Sequence, residues 1–158
     1  MNVNDQNKTE IEGSYLTIKL MEELYGVNVT SILQIIDVPP ITKVPNTENF
    51  VKGVINLRGK IVPVIDLRIK FLMPEIQYDE KTSIVIVKIK NESKDSYIGL
   101  IVDLVLEVVN VLDSQIENTP SFGSDIKTKY FLGMAKIDNQ VITLLDIEEL
   151  LYEKFVKE

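Results

Sequence analysis

Three aspartates, Asp66, Asp103 and Asp146, are the residues of this chain best equipped for chemistry, because the usual catalysts are missing. There is no histidine and no cysteine. That removes the commonest general base, the commonest transition-metal ligand and every thiolate site at once. Two carboxylates brought into one cleft could still run acid–base hydrolysis, and Asp66 with Asp103 is the pair to consider. Each aspartate also has a structural reading, and that reading is favoured. Asp146 opens D-I-E-E with Glu149 three residues on, the spacing of a capping box at a helix start. Asp66 occupies the matching place where a strand gives way to a short helix, so it reads as an N-cap. Asp103 lies at a bend between apolar runs, where an aspartate bonds backbone amides. The phosphate-cradling and nucleophile-elbow motifs G-x-x-x-x-G-K-[ST], G-x-G-x-x-G and G-x-S-x-G do not occur. The expectation is a protein that is not an enzyme and has no metal or cofactor.

Composition narrows the partners. A net charge of −7 argues against nucleic acid and against direct insertion at an acidic membrane surface. No apolar run approaches the ~20 residues that span a bilayer, and the start MNVNDQNKTEIEG lacks the apolar core of a signal peptide. A cytoplasmic protein is expected. With 45% hydrophobic residues, a chain of 158 has ample material for one domain, or for two small ones sharing a core.

The elements that must position these residues read almost wholly as short strands. Residues 1–13 form a polar leader. SYLTIKL (14–20), LYGVNVTSI (24–32) and ILQII (32–36) follow, then a proline-rich loop over 39–49. VKGVINL and KIVPVID make a hairpin, RIKFLM one or two helical turns, and 74–82 a polar linker. SIVIVKIK (83–90) is apolar on both faces, and YIGLIVDLVLEVVNV (97–111) reads as two strands bent at Asp103. The longest irregular stretch is 113–129. FLGMAKI and QVITLL form a second hairpin about Asp138-Asn139. DIEELLYEKFVKE closes as an amphipathic helix with Leu150, Leu151 and Phe155 on one side, leaving 153–158 as a tail.

The two halves repeat. The shift that carries Gly53 onto Gly133 also carries Asp66 onto Asp146, and lays one hairpin over the other with apolar positions in step. The expected fold is all-β: two small five-stranded barrels packed together, approximately 14–73 and 83–152, with strands free to exchange between them, plus the C-terminal helix. A single continuous β-sandwich is the alternative. Gly59 sits where a two-residue turn needs positive φ, and mid-strand Gly53 and Gly133 read as bulges or close backbone approaches. Arg58 has no such excuse. Its counterpart is Asp138, so the turn does not require an arginine. A solvated turn charge and a guanidinium aimed at a partner are equally good readings of it.

The stretch G-V-I-N-L-R-G-K-I-V-P-V-I-D-L-R-I-K-F, residues 53–71, closely resembles the signature of the CheW-like domain family. Y-G-V at 25–27, K-V-P-N-T at 43–47, I-G-L-I-V-D at 98–103, Q-I at 115–116, P-S-F at 120–122 and L-L-D-I-E-E-L-L at 144–151 extend the likeness from about Ser14 to Leu151. CheW, CheV and the regulatory domain of the kinase CheA share this domain; the length leaves no room for a receiver or kinase domain, so a free-standing member is expected. The resemblance implies two SH3-like barrels and a scaffolding role in bacterial chemotaxis. Its implied partners are the cytoplasmic hairpin tip of a chemoreceptor and the CheA regulatory domain. The protein would be a monomer alone and part of membrane-associated arrays with its partners. By the same resemblance, the receptor-facing groove would include Ile32, Gln34, Ile35, Arg58, Ile84 and Val108. The loops carrying Ile41 with Val44, and Pro120 with Phe122, would face the kinase. A module of another receptor–kinase pathway is the runner-up. Ile32 and Ile35, three apart, share a face if that segment makes a helical turn. Two positions depart from the family: Gln34 replaces a usual glutamate that can pair with the N-L-R-G arginine, and Glu117 stands where some relatives carry a basic residue.

Overall fold

A computed structural model describes residues 11–90, 95–118, 128–152 and 155. The strands are β1 (Gly13–Leu20), β2 (Glu23–Asn28), β3 (Ile32–Asp37), β4 (Val51–Leu57), β5 (Lys60–Asp66), β6 (Ser83–Lys90), β7 (Asp95–Val102), β8 (Leu104–Val111), β9 (Ile116–Glu117), β10 (Phe131–Ile137) and β11 (Gln140–Leu145). Two single helical turns, α1 (Leu67–Lys70) and α2 (Ile147–Leu150), follow β5 and β11. The strands form a six-stranded sheet, β8-β1-β2-β11-β10-β9, and a five-stranded sheet, β3-β6-β7-β5-β4. The fold is all-β with two subdomains.

Neither sheet is confined to one of the spans 14–73 and 83–152. The N-terminal hairpin β1–β2 joins the C-terminal hairpin through parallel pairing of β2 with β11, and β5 pairs in parallel with β7. The switch between sheets is local. Asn28 caps a 3₁₀ turn at Val29–Ser31, accepting from the Thr30 amide at 2.9 Å, and this turn splits the apolar run 24–32 between the two subdomains.

Three apolar cores explain the sequence pattern. Ile55, Val62, Val64, Ile84, Ile86 and Ile101 fill the five-stranded subdomain. Tyr15, Val111, Ala135, Ile142 and Leu144 fill the six-stranded one. Between them, Leu16, Ile18, Leu20 and Val27 from one sheet meet Ile65, Val85, Val87 and Leu100 from the other in a shared core. β6 is therefore apolar on both faces because Ile84 and Ile86 look into their own subdomain while Val85 and Val87 look into the seam. Aromatic rings thread that seam: Phe71 packs on Tyr25, Tyr130 and Phe131, and the Lys70 ammonium lies 4.1 Å from the Phe50 ring centroid.

The closing helix is shorter than its amphipathic pattern suggests. It ends after Leu150, Tyr152 is exposed, and Phe155 turns back edge-on to Phe50 with ring centroids 5.9 Å apart. An aromatic contact and a hydrogen bond from the Glu48 amide to the Phe155 carbonyl (2.8 Å) win over continued helix. Within 113–118, a 3₁₀ turn and β9 replace irregular chain.

Gly53 shows how a glycine fixes a loop. The β4–β5 register shifts between Val51 and Gly53, and Gly53 adopts φ +141°. A Cβ there would stand 2.1 Å from the Thr42 carbonyl oxygen. That approach lets Thr42 exchange two backbone hydrogen bonds with Val54, at 2.8 and 2.9 Å, and lays the 39–49 loop against β4. Gly53→Ala is expected to cost roughly 1–3 kcal/mol. Gly133→Ala, where the Cβ would stand 2.9 Å from the Glu117 carbonyl oxygen, is expected to cost less. Urea unfolding of the two variants side by side checks the order.

Candidate functional site

Two edge strands, β3 on one sheet and β8 on the other, bring apolar side chains to the surface from the same shared core. In β3, Ile32 lies opposite Val87 and Ile35 opposite Val85, both members of that core. A register shift between Ile32 and Gln34 makes this possible. The bulge, not a helical turn, puts Ile32 and Ile35 on one face. Ile32 is half-buried and Ile35 is 44% exposed. β8 repeats the device: Val105 lies opposite Ile18 and Val108 opposite Leu16, across a second register shift. Val105 packs on the shared core, and Val108 is 55% exposed. Each subdomain thus offers an apolar row that starts in the seam and ends in solvent.

Ile84 does not belong to that surface. It faces Ile36 on the opposite side of β6 from Val85, fully buried in the core of its own subdomain. The two-residue period of a strand decides this: one step along β6 changes which face a side chain serves. Gln34 pairs with Ile86 on that same inner face and is half-buried.

Arg58 and Gly59 occupy the β4–β5 turn with φ of 52° and 85°, the left-handed pair of a tight hairpin. The Gly59 amide donates to Asn56 Oδ1 at 2.9 Å. Asp138 and Asn139 solve the same geometry in the second hairpin at 48° and 65°. Arg58 is exposed, and among the described residues nothing, Gln34 included, pairs with its guanidinium.

The 39–49 loop presents Val44 to solvent, while Ile41 is half-buried against the five-stranded core. Pro120 and Phe122 lie outside the described residues. On β9, Glu117 pairs with Lys136 at 3.1 Å on the surface.

The carboxylates are occupied. Asp66 is buried and accepts from the Arg68 amide (2.9 Å) and from the Tyr78 hydroxyl (2.6 Å). Burial, then the bond to Asp66, pushes the Tyr78 phenol well above its ordinary pKa. Asp146 caps α2 by accepting from the Glu149 amide at 3.2 Å. Asp103 accepts from the Met21 amide at 2.7 Å, as a bend aspartate should. It also takes both sides of the Arg68 guanidinium, with Nε at 2.6 Å from Oδ1 and Nη2 on Oδ2. A hydrolytic Asp66–Asp103 pair is therefore not built: one carboxylate is a cap, the other an ion-pair partner. Arg68 is the residue that sequence reading missed. It follows an N-cap, where an arginine reads as helix surface, yet it is only 7% exposed. The one available signal was its place two residues after a buried cap.

The chain's relatives agree with this architecture. A family model described as the CheW-like domain matches residues 14–155. The chemotaxis protein CheW of Thermotoga maritima is 35% identical over 147 residues, 93% of this chain and 93% of that one. The chemotaxis protein CheW of Klebsiella aerogenes is 35% identical over 137 residues, 87% of this chain and 80% of that protein. Among solved structures, the scaffolding protein TtCheW from Thermoanaerobacter tengcongensis superposes with a TM-score of 0.78 at 35% identity, covering 88% of this chain and 87% of that one.

Proposed function

The chain belongs to the CheW-like domain family and has the family's chemotaxis adaptor role, and we propose that it acts without catalysis, coupling a chemoreceptor tip to the histidine kinase CheA. The match over residues 14–155 carries this reading. Ile32, Ile35 and Val108 supply the apolar receptor contact, with Gln34 and Arg58 as polar neighbours; Ile84 acts only from within the core that holds β3 in place. A receptor tip is a helical hairpin, and an amphipathic helix pair docks on an apolar trough with a polar rim. Val44, Ile41 and the segment carrying Pro120 and Phe122 meet the CheA regulatory domain. The protein works in the cytoplasm as a monomer that partners recruit into arrays at the membrane. Among the described residues, no helix is long and apolar enough to cross a membrane.

Pull-down of the purified chain with CheA regulatory domain and with receptor signalling domain from its own organism tests the reading. Binding to both is expected. Binding to neither, by folded protein, rejects it; binding to the corresponding domains of a different receptor–kinase system instead selects the runner-up.

A further inference from the structure

The six-stranded sheet does not close on itself: among the described residues β8 pairs only with β1. A cavity of about 390 Å³ lies where β8 approaches the β10–β11 hairpin. Leu24, Leu106, Val109 and Ile142 supply its apolar walls, and Glu107 and Asp138 stand at it. That volume falls within the roughly 300–1,000 Å³ of small-molecule sites, which often occupy the mouths of barrels.

The bulge in β8 builds this site. Leu16 pairs with Val108 and Ile18 with Val105, so Leu106 and Glu107 together stand opposite Thr17. On its other side Thr17 pairs with Gly26, which brings no side chain. Thr17 lines the cavity and is 4% exposed, yet its hydroxyl has no hydrogen-bond partner. Among the described residues it is the only buried side-chain polar atom so placed, and such groups are ordinarily bonded. Neither Glu107 nor Asp138 has a hydrogen bond or ion pair among the described residues. Lys19, two residues further along β1, pairs with Glu22 at 3.9 Å instead. The chamber therefore asks for three things at once: an apolar body, a positive charge and one hydrogen-bonding atom.

We propose that this cavity is a binding site for a small organic ammonium ion, an arylalkylamine carrying a hydroxyl at its far end. The ring lies against Leu106, Val109 and Ile142, the ammonium meets Glu107 and Asp138, and the ligand hydroxyl bonds that of Thr17, each hydroxyl being able to donate or accept. A carboxylate of the same shape is rejected, because two acidic side chains would face it. The site is independent of the adaptor role, since Val109 pairs with Tyr15 of the six-stranded core while Val108 serves the opposite face of β8.

Titration of the purified chain, followed by amide NMR shifts, tests the proposal with three probes: tyramine, phenethylamine and 3-(4-hydroxyphenyl)propionate. Tyramine is expected to saturate with a Kd of about 1 mM or tighter, a modest demand on a ligand of its size, and to move the amides of Thr17, Leu106, Val109 and Gln140. Phenethylamine, which lacks the hydroxyl, should bind about tenfold more weakly, and the propionate should not bind. Glu107→Gln with Asp138→Asn should weaken tyramine at least tenfold; both positions are exposed, and asparagine tolerates the positive φ of residue 138, so the fold should be kept. Thr17→Val keeps the shape of the side chain and removes only the unbonded hydroxyl, so this variant too should fold. In it tyramine and phenethylamine should bind equally. Tyramine that fails to saturate, tyramine that binds the double variant as it binds the unaltered chain, a propionate that binds as well, or a preference for the hydroxylated amine that survives Thr17→Val overturns the proposal.

Discussion

Asp103→Ala is expected to destabilise the protein by about 3–5 kcal/mol, more than any other single change on the surface of either sheet. The loss is large because the partner stays behind. Arg68 is held in the α1 turn with its side chain 9% exposed, and without Asp103 its guanidinium keeps only a weak contact to the Pro74 carbonyl at 3.5 Å. The Met21 amide, which closes the β1–β2 turn, loses its acceptor as well. Asp103 also stands between β7 of one sheet and β8 of the other, so three elements lose one anchor together. For a chain of this length the change corresponds to a fall in Tm of roughly 6–20 °C. Asp103→Asn, which keeps an acceptor for Met21, should cost less. Removing both charges, with Arg68→Met and Asp103→Leu, should recover much of the loss, because an apolar pair of similar volume leaves no charge stranded and only the Met21 amide still lacks its acceptor. Thermal unfolding of the four proteins decides; equal stability of Asp103→Ala and the unaltered chain would show that the ion pair holds nothing.

Ile35→Asp is expected to weaken receptor binding at least tenfold while leaving the fold and CheA binding nearly unchanged. In the free protein the new carboxylate sits in water, since Ile35 is 44% exposed on an edge strand, where charge is well tolerated. In the complex it would face apolar helix surface without a partner, at a cost of roughly 2 kcal/mol or more. Docking surfaces of this kind depend on a few anchors, so one such change is felt. The Val44 loop is held by separate contacts, the Thr42–Val54 bridge among them, and does not depend on Ile35. Ile84→Asp is the control. Its side chain is fully buried, so that variant should fail to fold rather than bind selectively. Circular dichroism and titration calorimetry against each partner separate these outcomes.

The pairing of these two isoleucines shows what a sequence does and does not reveal. Both are apolar residues in strands, and both are legible as such. Which face each serves depends on a bulge in β3 and on which neighbour β6 packs against, and neither leaves a mark in the local pattern. The hairpins were readable because turn, register and glycine bulge are local, and the duplication states them twice. The parallel pairings of β2 with β11 and β5 with β7 were not, because strand periodicity records burial and not the partner. The amphipathic run after Asp146 misleads for the same reason: Leu150 and Phe155 are both in contact with apolar neighbours, but the helix ends at Leu150, and Phe155 meets Phe50. Arg68 was hidden because a buried ion pair looks, in sequence, like two unrelated surface charges.

Coupling requires one chain to touch two proteins at once, and a bridging capture measures that directly. Receptor signalling domain is immobilised, and the CheA regulatory domain is passed over it with and without this protein. The expected result is that CheA is retained only when the protein is present, and is lost again when Ile35→Asp replaces it although that variant still binds CheA in solution. Retention of CheA without the protein, or binding of each partner only in the absence of the other, would contradict the coupling role.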